Sequence, residues 1–319
     1  MKPCIALFLS AAVFGSAALA QDYPSRPVRI VVPNAPGSSI DIMTRTLSAR
    51  LGESLGQSVV VENRDGAAGL IGMEQGKNAR PDGYNLTSAA NGAMLISPLL
   101  RKNPPYDPLN DFSYISLFAL MPNVLVVNAD LPIRSVRELI DYTRANPGKV
   151  NMSSAGVGSQ SHLSGALLLA MGGFESVHVP HKGGGPSVNA VVAGQTHWTI
   201  TPAPAVVAMV KNGRLRALAQ SLPRRTSLMP DLQPVSDSVA GYDFNGWVGL
   251  VAAKGTPRPI IDRLNTAIAK TLSVPEVKET FSVQGAETVI GTPEEFQKFL
   301  AREYATTAKV MKLAQLQQD

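Results

Sequence analysis

The sequence predicts an α/β protein of two lobes joined by a hinge of two chain crossings. Three observations carry this expectation. Val28 to Ala89 alternates strand, helix, strand, helix, strand. SAGVGSQSHLSGALLLAM, Ser154 to Met171, repeats the opening design of strand, uncharged Gly/Ser loop and apolar helix. Trp247 to Ala252 then reads as a late strand able to return to the first half, which makes a cleft between the halves.

Each element follows from local chemistry. Val28 to Val32 is an apolar run stopped by Pro33, the pattern of a buried strand. Ile40, Met43, Leu47 and Leu51 recur at helical spacing, and Ser38 or Ser39 can cap the first turn. Val59 to Glu62 predicts a second strand, Asn63 to Gly69 a turn, and Leu70 to about Ala79 a helix. Pro81-Asp82-Gly83 turns the chain into the strand Tyr84 to Ala89. This rhythm predicts a parallel sheet with helices on its faces. Past the prolines at 104, 105 and 108, Phe112 to Leu120 and Val124 to Val127 read as extended. Ser135-Val136-Arg137-Glu138 has capping-box spacing, and its helix ends near Asn146-Pro147-Gly148. Val150 to Ser153 is the next strand, followed by a helix buried along Leu163, Leu167 and Ala170. VHVPHKGGGPSVNAVVAGQ again runs strand, glycine loop, helix, and Leu215 to Gln220 is a further strand. The C-terminal part is helical, with boundaries at Thr256-Pro257, Val274-Pro275 and Thr292-Pro293. The expected division is residues 21–122 with 235–319 as one lobe and 123–234 as the other.

Composition narrows the function. The chain of 319 residues is 45% hydrophobic and 17% charged, which fits a packed globular protein. The net charge of +5 is scattered, with no basic stripe interleaved with aromatics, so nucleic-acid binding is not expected. Lys2, the apolar run Cys4 to Phe14 and Ala18-Leu19-Ala20 form an export signal over residues 1–20, with a mature start at Gln21. The single cysteine, Cys4, falls inside that signal, so the exported chain has no disulfide and no cysteine metal site. No later stretch reaches the length of a transmembrane helix.

The bare loops carry the functional argument. The first N–H groups of a helix lack internal partners, and the helix dipole adds partial positive charge there. An anion placed at that tip gains hydrogen bonds and favourable electrostatics together, without lysine or arginine. Glycine lets a ligand reach the backbone, and serine adds donors. Catalytic motifs are missing by comparison. GSQSH lacks a nucleophile elbow because Gln160 takes the central place, and Ala67-Ala68 interrupts the dinucleotide spacing between Gly66 and Gly69. No metal-ligand motif or cofactor signature stands out.

Several segments together resemble one family. They are YPSRPVRIVVPNAPGSSIDIMTR, GQSVVVENRDGAAGLIG, ARPDGYNL, PYDPLNDF, PNVLVVN, SSAGVGSQSHLSG, HVPHKGGGPSVNAVVAGQ, GRLRALA and GTPRPIIDRLN. In this order, from Tyr23 onward, they resemble the Bug receptors, the extracytoplasmic solute receptors of tripartite tricarboxylate transporters. The resemblance implies a two-domain, type II periplasmic binding protein fold of the Venus-flytrap kind. It implies a monomeric, non-enzymatic receptor in the periplasm that holds a small organic carboxylate and meets integral membrane permease subunits. A periplasmic sensor that feeds a signalling partner is the alternative. It also implies that two loops, one per lobe, pinch a carboxylate. On the first loop it points to Asn34, Ala35, Gly37, Ser38 and Ser39, with Asp41 orienting or capping. On the second it points to Ser153, Ser154, Gly156, Ser159 and His162. The distal end of the ligand is expected near Asn91, His181, Lys182, Ala203 and the Asn245–Trp247 neighbourhood. Family members usually carry an apolar residue where Asn34 stands, a second glycine at Ser38 and tyrosine at His181. These departures bear on the ligand more than on the fold.

Overall fold

The computed structural model describes residues 23–226 and 228–316. The expected export signal lies outside them. In chain order, β1 (Val28–Val32), β2 (Val59–Asn63), β3 (Asn85–Ala90) and β4 (Phe112–Met121) build the first sheet. The second sheet takes β5 (Asn123–Asn128), β6 (Asn151–Ser154), β7 (Val177–Pro180), β8 (Trp198–Pro202) and β9 (Leu215–Gln220). β10 (Gly246–Ala253) and β11 (Glu287–Thr288) return to the first sheet. The helices are α1 (Ser39–Leu55), α2 (Leu70–Lys77), α3 (Ser97–Leu99), α4 (Val136–Ala145) and α5 (Gln160–Gly172). They continue with α6 (Gly184–Val192), α7 (Val207–Lys211), α8 (Arg258–Ser273), α9 (Pro275–Val283) and α10 (Pro293–Leu313).

The first sheet runs β11-β4-β10-β3-β1-β2 and the second β7-β6-β8-β5-β9. The expected parallel pairing holds for β2, β1 and β3 only, because β10 is antiparallel to both of its neighbours, β3 and β4. The reason is topological. β3 and β4 point their C-terminal ends at the cleft, whereas β10 starts there as the chain comes back from the second lobe. The second sheet is likewise mixed: β6 is parallel to β7 and β8, and β5 is antiparallel to β8 and β9.

Helices cover both faces of each sheet. Met43, Leu47 and Leu51 of α1 pack with Leu264 and Ile268 of α8 on one face of the first, and Met73, Phe296 and Leu300 cover the other. Leu139, Leu163 and Leu167 form the main core of the second lobe, with Val188 and Val191 on its far face. One capping expectation changes. The Ser135 hydroxyl accepts from Glu138 N–H (3.1 Å), but the Glu138 carboxylate accepts from Arg134 N–H (2.6 Å) instead of Ser135 N–H. The reciprocal box sits at Thr292 and Glu295 instead.

The lobes are laced at the crossings. The first crossing needs only Pro122, between β4 and β5. The second is made at residue 245, just before β10, and runs beside the first. Asn123 N–H donates to Ser221 Oγ (2.7 Å), and Asn123 Nδ2 donates to Phe244 O (2.5 Å). Val235, Val239, Tyr242 and Phe244 pack into the second-lobe core, so residues from 235 to 244 stay with that lobe until β10 begins. α10 straps both lobes: Phe296 and Leu300 lie in the first core, Val310 and Met311 in the second.

Candidate functional site

α1 and α5 approach the interlobe cleft with the same local design. In each, a serine just before the helix caps the third amide. Ser38 Oγ accepts from Asp41 N–H (3.4 Å), and Ser159 Oγ accepts from His162 N–H (3.2 Å). That leaves the amides at the first two positions, Ser39 and Ile40 in α1 and Gln160 and Ser161 in α5, with no partner inside the helix. All four residues line one cavity of about 80 Å³ between the lobes. Two more helix tips from opposite lobes reach it, through Gly69 ahead of α2 and Gly184 at the start of α6.

Among the described residues, the cavity lining holds no lysine or arginine, and Asp65 is its only ionisable residue. The one charged side chain there is a carboxylate, so any attraction for an anion has to come from the helix ends. The lobes are shut around it. The Ser39 hydroxyl donates to Pro202 O across the cleft (3.2 Å), and Ser97 Oγ lies 3.3 Å from Gly158 O. The glycines of the third loop let the first loop close on it, since a Cβ on Gly183 would stand 2.5 Å from that of Ala35.

Of the residues expected from sequence, Asn34, Ser38, Ser39, Asn91, Ser159 and Trp247 line the cavity. The others stand behind it or at its edge. Gly37 N–H donates to the Asp41 carboxylate (2.9 Å), which also accepts from Asn63 Nδ2 (2.9 Å) and pairs with Arg45 (2.9 Å). Asp41 thus orients the loop, and its charge is already answered. Ala35 packs under Gly183. Ser153 points away, bonded to Ser187 Oγ (2.8 Å), because the residue before the loop still obeys the alternation of β6. Ser154 bonds His178 Nε2 (2.6 Å), and Gly156 lies against the His181 carbonyl. Lys182 is exposed, and Ala203 is buried at the hinge, its N–H donating to Pro122 O (2.9 Å).

The histidines support the second loop. His162 stacks on His178, with ring centroids 4.2 Å apart, and its Nδ1 accepts from Gly158 N–H (3.3 Å). Burial, with the neighbouring His178, lowers the His162 pKa to about 4. Burial also lowers His178 and His181. His162 is therefore a neutral tether of the loop, and its neighbours Gln160 and Ser161 line the cavity instead. Those two, with Ile40, Asp65, Gly184 and Thr201, are lining residues that sequence reasoning missed. The capping pattern was the signal for three of them: once Ser38 and Ser159 are the caps, the next two residues of each helix must face the tip.

Comparison with known proteins finds relatives over nearly the whole chain. The model of the tripartite tricarboxylate transporter family receptor, TctC, matches residues 43–316. BugT of Bordetella pertussis is 36% identical over 312 residues, covering 97% of this chain and 95% of BugT. Rpa4515 of R. palustris, solved with adipate, superimposes with a TM-score of 0.89 at 33% identity, covering 92% of this chain and 98% of that one. The periplasmic binding protein BugD gives 0.89 at 32% identity, covering 93% and 100%. The mixed α/β lobes are those of periplasmic binding proteins. With that match across the cleft loops and both lobes, the chain belongs to the tripartite tricarboxylate transporter receptor family.

Proposed function

We propose that this chain captures a small organic carboxylate in the periplasm and delivers it, enclosed between its lobes, to integral membrane permease subunits. It does so as a monomer and without chemical turnover. The observation that carries this reading is the pairing of two capped helix tips, α1 and α5, across one small cavity that has no basic side chain. The free N–H groups of Ser39, Ile40, Gln160 and Ser161 hold one carboxylate from both sides, and closing the cleft around it strengthens each contact by excluding water. Because the ligand bonds both lobes, it stabilises the closed form by its differential affinity for that form. The adipate held by the relative Rpa4515 supports a carboxylate of this size class. A site of about 80 Å³ has room for roughly five to eight waters at the usual ~10–15 Å³ each, which a short-chain acid displaces.

The test is isothermal titration of short mono-, di- and tricarboxylates into the protein and into Ser161→Asp. Ser161 is buried and its hydroxyl accepts from Ala155 N–H (2.9 Å); aspartate keeps an acceptor there and suits the helix dipole, and circular dichroism checks that the variant folds. Its charge occupies the anion seat, so affinity falls at least tenfold. Wild-type affinity in this variant would overturn the seat, and the absence of binding by every acid would overturn the function.

A further inference from the structure

The chain crosses back to the first lobe at Asn245, between Phe244, buried in the second-lobe core, and Gly246, the first residue of β10. This half-buried residue is bonded on every side. Ser221 Oγ donates to its Oδ1 (2.6 Å), and its Nδ2 donates to Asp243 Oδ1 (2.7 Å). A carboxylate only accepts, so the amide must turn Nδ2 to Asp243 and its oxygen to Ser221. Ser221 Oγ in turn accepts from Asn123 N–H at the first crossing (2.7 Å), and Ser221 N–H donates to Asn123 O (2.9 Å). The two crossings are therefore one hydrogen-bonded unit, and Asn245 belongs to it.

This unit reaches the ligand cavity through Gln160. Gln160 opens α5, lines the cavity and carries one of the uncapped amides. Its side chain donates through Nε2 to Asn245 O (3.0 Å). One residue thus offers a backbone N–H at the helix tip and is fastened by its side chain to the crossing. The Ser159 cap holds the turn from within the helix, and the Gln160 bond holds it against the crossing. Val235 to Phe244 pack with the second lobe and β10 belongs to the first sheet, so a change in the angle between the lobes is taken up around residue 245. The Gln160 bond changes with it, because a hydrogen bond weakens steeply with angle and distance.

We infer that Asn245 is a positioning residue for ligand capture: its side chain fixes the residue 245 carbonyl, that carbonyl fixes Gln160, and Gln160 sets the α5 tip for the anion at the closed hinge. This rests on the carboxylate reading above and adds how the seat is tied to the hinge. Asn245 does not itself line the ligand cavity, so its effect on affinity passes through the Gln160 side chain. The seat is complete only at the lobe angle that makes the Gln160 bond.

The experiment is a double-mutant cycle read by isothermal titration. The probe is the tightest binder among acetate, succinate, adipate and citrate. Asn245→Ala removes both side-chain anchors, and Gln160→Met removes the Nε2 donor while keeping length and the backbone N–H. Each is expected to weaken binding about three- to tenfold, the value of one intramolecular hydrogen bond. The double variant is expected to bind within about twofold of the weaker single variant, because both changes break one line of contacts. A merely structural role for Asn245 would instead multiply the losses. Asp243→Ala, at an exposed position, removes one anchor and carries the same cycle if Asn245→Ala does not fold. Losses that multiply in the double variant, or no loss in either single variant, would overturn the positioning role and leave the carboxylate reading standing. Binding of none of the four acids to the wild-type protein would overturn both.

Discussion

His162 shows how one side chain can serve a site without touching its contents. Its Nδ1 must stay unprotonated to accept the Gly158 N–H, and His178 lies against its ring face. Its pKa is lowered from the ordinary 6.5 to about 4, so the unfolded chain takes up a proton first as the pH falls. The stability this group contributes is complete above pH 6.5 and is lost progressively as the pH falls towards 4. The loss is on the order of 3 kcal/mol at its limit. A melting temperature measured from pH 7 to pH 4 is expected to fall, and His162→Gln is expected to flatten that slope. A wild-type slope in the variant would exclude His162 as the titrating group. Asp41 acts in a comparable way: it fixes the loop through Gly37 N–H and does not line the cavity.

At the scale of the element, the serine caps divide the amides of a helix tip between structure and ligand. Removing a cap costs about 1 kcal/mol wherever it stands. Ser135 and Ser159 therefore make an informative pair, because each caps the third amide of its helix but only Ser159 borders the cavity. Ser135→Ala and Ser159→Ala are expected to lower stability in chemical denaturation by similar amounts. Ser159→Ala alone is expected to weaken carboxylate binding severalfold, since the freed His162 amide and the loosened turn misplace the Gln160 and Ser161 donors. Equal affinity in the two variants would count against the tip as the seat.

For the whole molecule, closure depends on backbone meeting backbone. Gly185, in the first turn of α6, sits where a Cβ would lie 3.2 Å from Pro36 O of the opposite lobe. A leucine there suits the helix better than glycine but wedges the cleft. Gly185→Leu is expected to keep the melting temperature of the ligand-free protein while cutting carboxylate affinity tenfold or more. Small-angle scattering is expected to show no compaction on adding the acid. Unchanged affinity would mean that binding does not need this contact. The two crossings and the α10 strap join the lobes: Asn123 holds both crossings, and α10 enters both cores.

Most of the architecture was legible along the chain. Periodicity located β1, α1, β3, β5, α5 and β10, because the apolar faces these elements bury repeat at fixed intervals in sequence. The two uncharged loops and the family likeness were likewise matters of local order. What local order does not hold is direction and facing. β10 enters antiparallel because of where the second lobe hands it back, and residues 235–244 side with the second lobe because Tyr242 and Phe244 find apolar neighbours there. Asn34, Ser38, Ser39, Asn91, Ser159 and Trp247 reach the cavity, while Ser153, Ser154 and His162, only residues away, turn to their own lobe. The sequence by itself determined which helix tips are bare. Only the tertiary structure decided that those tips face each other across one cavity, because contacts between residues more than a hundred positions apart depend on how the lobes fold together.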